Sequence, residues 1–239
     1  YGISADLISD ITGADLIRVA SLKQIEELGN LSLKEKAKKL DVRYVVTGTL
    51  WKRDNSFQLS VEIYDNKKSK IIWLDRWQEN WSNLPKIKVN LSNGILKALD
   101  SKPKIKRKID TTNSEAYEYY LRAKYIFENR KNTEDIDIAR GLIKKTIELD
   151  SNLIIVKILL GTTYIHEGKY IEALKIYQEA LYLSKKNNDK NMIILSYRGL
   201  ISVHMVMGKY NKALNCLEHQ KKIIQILGNK LQMAYVLAN

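Results

Sequence analysis

Reactive groups are scarce in this chain. Its 239 residues hold one cysteine, Cys216, which excludes an internal disulfide, and three histidines, His166, His204 and His219. A metal site wants converging ligands, such as two histidines four apart on one helix, and no pair among the three has that spacing. His219 follows Cys216 closely enough to share a helix face, but two ligands do not make a zinc site. Nucleophilic catalysis needs a nucleophile, a base and an orienting group; Cys216 stands before Leu217 in a helical pattern and reads as a small packed residue. Gly48 and Gly94 stand alone, so no glycine-rich loop cradles a phosphate. Glu26-Glu27 fall in an expected loop and read as solvated carboxylates. No catalytic residue, metal or cofactor is expected. Runs of about 18 apolar residues are also missing, so no membrane span is expected. The longest stretch, around Ile154-Ile155-Val156, is broken by Lys157.

Acidic charge is in deficit. The formal net charge is +13 and the pI is about 9.5. The excess is spread thinly: +3 over residues 1–100, +4 over 101–112 and +6 over 113–239. Such a balance suits nucleic acid or an anionic membrane, and equally a lysine-rich solvated surface. The densest cluster is Lys102, Lys104, Lys106, Arg107 and Lys108, beside Pro103. It can grip phosphates or anionic lipid. It lacks the interleaved aromatics that stack bases, so it reads as a solvated hinge and nucleic acid is not the expected partner.

What the chain does have is an internal repeat. Gly168-Lys169-Tyr170 and Gly208-Lys209-Tyr210 lie 40 residues apart, and each is followed by an alanine–leucine pair, Ala173-Leu174 and Ala213-Leu214. Stacked helix–turn–helix units give this signature and build a surface for holding another molecule. Apolar residues at helical spacing fill in the rest. Tyr117, Tyr120, Leu121 and Tyr125 sit on one helix; Ile138, Ala139, Leu142, Ile143 and Ile147 sit on the next. Ala139, Ala173 and Ala213 hold one position, where the helices of a hairpin cross closely.

The first hundred residues alternate in period. Asp6-Leu7-Ile8 with Ile11 predicts a helix, and Leu16–Ala20 a strand. Ser32 with Glu35 has capping-box spacing and opens a helix through Ala37 and Leu40. Strands are predicted over Arg43–Leu50, over Phe57-Leu59-Val61-Ile63, and from Ile71, with a last helix over residues 84–99. Trp73, Trp77 and Trp81 step by four; Trp73 lies in a strand-like run, so packing on the sheet is expected, with Trp77 and Trp81 partly exposed. The order predicts an α/β layer with an antiparallel hairpin.

The second half resembles tetratricopeptide repeats, on Leu160-Gly161, Tyr164, Gly168, Ala173, Tyr177 and Ala180. The first unit departs from the pattern at Ala123 and near Asn129–Asn132, and the third is six residues longer, with Ile201 where the glycine is usual. The resemblance implies about three units, the last truncated, over residues 113–239. It implies a groove lined by Tyr117, Tyr120, Lys124, Thr162, Ile165, His166, Arg198, Ser202 and Met205, suited to an extended peptide or helix of some acidic character. Ile165 and Met205 can instead pack on neighbouring repeats.

Residues 1–100 are similar to the amino-terminal domain of the translocation protein TolB. The resemblance rests on Asp6-Leu7, Ile17–Ser21, Leu40–Leu50, Leu59–Asp65 and Trp73. It implies an α/β sandwich-like domain lacking its first strand, whose open sheet edge invites pairing with another chain. Residues 101–112 form the basic linker. In bacterial signalling proteins of this arrangement the pair often follows a class III adenylate/guanylate cyclase, and elsewhere a winged-helix DNA-binding domain or a protein kinase. The expected role is non-catalytic: a regulatory or sensor segment in the cytoplasm, binding a protein or peptide and joined to an upstream effector domain. The alternatives are a transcription regulator's sensor segment, or direct binding of nucleic acid or anionic membrane. A chain beginning at Tyr1 and ending at Asn239 within a helical pattern reads as a piece of a longer protein.

Overall fold

Serine caps open the first helices. Ser21 Oγ accepts from the Gln24 N–H, and the Gln24 side chain accepts from the Ser21 N–H, closing a capping box ahead of α1, Leu22–Glu26. Ser32 and Glu35 do the same ahead of α2, Leu33–Lys39; the Glu35 carboxylate lies 2.9 Å from the Ser32 nitrogen, and these bonds hold its pKa below the usual range. The sequence reading put Glu26-Glu27 in a loop; Glu26 instead ends a helix and Glu27 caps it. Ser21 and Gln24 carry the same spacing signal as Ser32 and Glu35. The structure is a computed structural model and describes residues 3, 7, 8, 11, 19–99 and 113–227. The chain forms two compact units, Tyr1–Ser114 and Glu115–Asn239.

In the first unit, β1 (Tyr44–Arg53), β2 (Ser56–Asp65) and β3 (Lys70–Asn80) form one antiparallel sheet in the order β1-β2-β3. On central β2, Phe57, Leu59, Val61 and Ile63 are all buried because alternate side chains share a face. Each contributes on the order of 2 kcal/mol. Helix α3, Leu84–Ala98, supplies Leu84, Ile87, Leu91 and Ile95 at helical spacing, all buried. Trp73 pairs with Ile63 across the sheet and meets α3 at Gly94, where a Cβ would stand 2.8 Å from the indole. The helix thus lies on the face that β2 buries.

Strand β3 runs farther than its apolar start suggested and carries Trp77 on the face of Trp73, with ring centroids 6.3 Å apart. Trp81 lies in a 3-10 turn, Trp81–Asn83, edge-on to Phe57 at 5.4 Å. All three indoles are half-buried. At the far end of β2 the Asp65 carboxylate, 1% exposed, accepts from Arg43 Nη2 at 2.9 Å and from the backbone N–H groups of Lys67 and Lys68. It pins the β2–β3 turn. The expected helix at Asp6–Ile11 and strand at Leu16–Ala20 fall mainly outside the described residues; Leu7, Ile8 and Ile11 are helical, and Val19 and Ala20 carry no regular structure. The basic linker 101–112 also lies outside them.

The second unit is helical: α4 (Ser114–Glu128), α5 (Thr133–Leu149), α6 (Ile154–His166), α7 (Tyr170–Lys186), α8 (Lys190–Val206) and α9 (Tyr210–Leu227). Short turns join consecutive helices, as in antiparallel pairs. Two turns use one device. Gly168 and Gly208 adopt φ of 74° and 69°, and the next N–H, of Lys169 and Lys209, returns to the carbonyls of Tyr164 and His204 at 2.9 and 2.8 Å. The α4–α5 turn lacks that glycine; Asn132 caps α5 instead, accepting from the Asp135 N–H at 2.9 Å.

Ala139, Ala173 and Ala213 are buried, as close helix crossing requires. Between the last two pairs lies the Tyr177 ring of α7. Gly161 on α6 faces it, where a Cβ would stand 2.8 Å from Cζ; Gly199 on α8 faces it more closely still. The sequence reading placed Ile201 at the glycine position of the third unit. The glycine is instead Gly199, because the Tyr177 ring fixes where α8 must be bare, and α8 has 17 residues to the 13 of α6.

Candidate interaction surface

The groove expected from sequence is built on α4, α6 and α8, and the structure separates its nine residues into three groups. On α4, Tyr117, Tyr120 and Lys124 are buried, with the two rings 6.1 Å apart and Lys124 Nζ 6.0 Å from the Tyr120 ring. None of the three is open to a partner in this structure. Their spacing puts them on one face, but spacing does not report what covers a face.

On α6, two of the expected residues hold the array together. Thr162 Oγ1 donates to the Ile158 carbonyl at 3.0 Å and accepts from the Tyr177 hydroxyl at 2.9 Å, so its one proton is committed internally. Ile165 is half-buried against a core cluster containing Tyr177, Tyr197 and Val203. His166 is exposed, but its ring stands edge-on to Phe127 of α4 at 5.3 Å. Arg130 Nη2 lies 3.2 Å from each imidazole nitrogen, and its guanidinium covers the Phe127 ring at 4.3 Å. Partial burial, together with the Arg130 charge, holds the His166 imidazole below its usual pKa.

On α8, Arg198, Ser202 and Met205 are exposed on one face, and Val206 extends it. Met205 and Val206 are each half exposed, an adjacent apolar pair two turns along the helix from Arg198. Helix α6 packs against α8, so His166 and Arg130 belong to the same helical layer.

Sequence reasoning missed Val206, Arg130 and Phe127. Val206 was legible, being eight residues after Arg198 on the same helical face. Arg130 was not, since it lies in the α4–α5 turn and reaches His166 only through the fold.

Behind this layer sits a charged scaffold. The Arg140 guanidinium of α5 covers the Tyr164 ring at 5.0 Å and pairs with Glu167, which also meets Lys169 Nζ at 3.0 Å. Burial works against the charged carboxylate, but the two cations outweigh it and hold the Glu167 pKa below its usual range. Lys157 of α6 pairs with Glu179 of α7 at 2.8 Å. Cys216 is half-buried against the same core cluster as Ile165, and burial pushes its thiol pKa up. Among the described residues no three His, Cys, Asp or Glu side chains are grouped to hold a metal ion, and no helix is long and apolar enough to cross a membrane.

No protein-family model matches the chain, and no curated protein matches it. Among solved structures it is similar to a Signal Transduction ATPase with Numerous Domains (STAND) protein with a tetratricopeptide repeat sensor from Pyrococcus horikoshii, with a TM-score of 0.45 and 22% identity. The match covers 66% of this chain and 25% of that one.

Proposed function

We propose that this chain is a non-catalytic, protein-binding regulatory or sensor segment of a larger bacterial signalling protein. The helix pairs form a tetratricopeptide-like array that captures an extended or helical peptide. The first unit is read as TolB-amino-terminal-like and couples capture to an upstream effector, a class III adenylate or guanylate cyclase in the cytoplasm. The observation that carries the binding role is the α8 face. Arg198, Ser202, Met205 and Val206 are exposed along a helix that buries Ile193, Tyr197, Leu200 and Val203 on its other side. A guanidinium two turns along from an apolar pair suits a peptide that offers a carboxylate and an apolar anchor at matching separation.

The test is fluorescence anisotropy with labelled peptides of that kind, each paired with a lysine-substituted control. Binding by the acidic set is expected, with Met205→Glu weakening it by about tenfold or more, or about 1.4 kcal/mol, while circular dichroism stays unchanged. Equal binding by the lysine-substituted set, or full affinity in Met205→Glu, removes the α8 face from the proposal. The coding sequence ahead of Tyr1 tests the effector separately: a winged helix there replaces the cyclase reading.

A further inference from the structure

The two glycine turns are alike in backbone but differ beneath it. In the α6–α7 turn the carbonyl that receives the Lys169 N–H belongs to Tyr164; in the α8–α9 turn it belongs to His204. The tyrosine ring is covered by Arg140 of the preceding helix. Counting from Ala139 and Ala173, the equivalent of Arg140 on α7 is Leu174, which offers no polar group. The titratable ring has accordingly been drawn inward without a partner. His204 is 7% exposed, and its Nδ1 is buried without a hydrogen-bond partner among the described residues. Among the described residues, the charged groups that act on it are both cations, Lys212 on α9 and Lys209 in the turn before it. No carboxylate from α6, α7 or α8 is among them.

A neutral imidazole fits this place and an imidazolium does not. Protonation puts a charge where burial strips its hydration and two lysines repel it. His204 lies in the last turn of α8, whose C-terminal end favours a cation, but burial and the two lysines act against the charge and outweigh it. Burial first, and then Lys212 and Lys209, hold the imidazole below its ordinary pKa.

We infer that His204 makes the α8–α9 pair acid-responsive, with protonation of its ring releasing α9 from α8 at mildly acidic pH while the α6–α7 pair stays closed. The sign follows from linkage. The unfolded histidine titrates near 6.5, the folded one lower, so the opened form binds more protons between the two values. The pair is fully closed above about pH 7.5 and loses stability as pH falls below about 6.5.

Hydrogen exchange of the full chain tests this at pH 7.5 and 5.5, after correction for intrinsic exchange, on peptides from α7 and α9. Protection of α9 is expected to fall about fivefold to tenfold relative to α7 in the native sequence, the change that one proton taken up over that interval allows. In His204→Phe the fall is expected to vanish, while His166→Phe keeps it. A pH-independent α9, or a fall retained in His204→Phe, overturns the inference. Should His204→Phe fail to fold, the native protein decides: the inference stands if the His204 ring titrates below about 6.5 and the loss of α9 protection follows that titration, and either result missing overturns it.

Discussion

The Tyr177 ring occupies the space that a side chain on Gly199 would need. The same ring rests against Gly161, and its hydroxyl donates to Thr162. One aromatic side chain on α7 thus requires bareness on both of its neighbours, α6 and α8.

Gly199→Ala is therefore expected to destabilise the second unit by about 2 kcal/mol, the clash exceeding the gain in helix propensity. Gly141 on α5 is the control. A Cβ there meets nothing within 4 Å, so Gly141→Ala is expected to stabilise by about 0.5–1 kcal/mol. Urea midpoints of the two variants should move in opposite directions.

Asp65 predicts the acid limb of the first unit. The hydrogen bond from Arg43 holds the Asp65 carboxyl below its usual range, helped by the Lys68 and Lys67 N–H groups and opposed by burial. A depressed carboxylate contributes stability that is present above the unfolded value of about 3.9 and is lost as pH falls through the folded one. Below pH 4 the wild type should lose stability more steeply than Asp65→Asn. Unfolding midpoints by tryptophan fluorescence from pH 5 to pH 2 measure this, and equal slopes count against it.

Glu167 and Lys169 separate a buried charge from an exposed one. Glu167→Gln leaves the Arg140 guanidinium, 11% exposed, to the solvent-facing Asp137 carboxylate 3.2 Å away and is expected to cost about 1–2 kcal/mol. Lys169 is 52% exposed, and Lys169→Met is expected to change stability by less than about 0.5 kcal/mol. Thermal melts of both variants check the contrast.

Gly168 takes φ of 74° at the α6–α7 turn. Gly168→Ala is expected to cost about 1 kcal/mol because the added Cβ disfavours the left-handed backbone, although the space around it is open. The stability loss should appear with peptide binding at the α8 face intact.

Periodicity made much of the fold legible. Ser32 with Glu35, the alternation of Phe57 to Ile63, and the three alanines each pointed to the element that forms. The signals that failed were those that depend on a neighbour. Ile201 was aligned by counting from Ala213, whereas the bare position is decided by the Tyr177 ring on another helix. Tyr117 and Tyr120 were read as groove residues from their spacing, but their burial is a property of the fold. His166 was named as a groove residue without sight of Arg130, which approaches from a turn 36 residues earlier. Arg198, Ser202 and Met205 share one face of α8 by helical spacing, and the structure leaves all three exposed, including Met205, which the sequence left open to packing on a neighbouring repeat.

Because Tyr177 serves α6 and α8 alike, the hairpins of this array are not interchangeable modules. A chimera carrying α8 and α9 onto another repeat scaffold would import a helix with a notch at Gly199 and nothing to fill it. Transplantation has to move α7 as well, so the smallest portable block is three helices and not two.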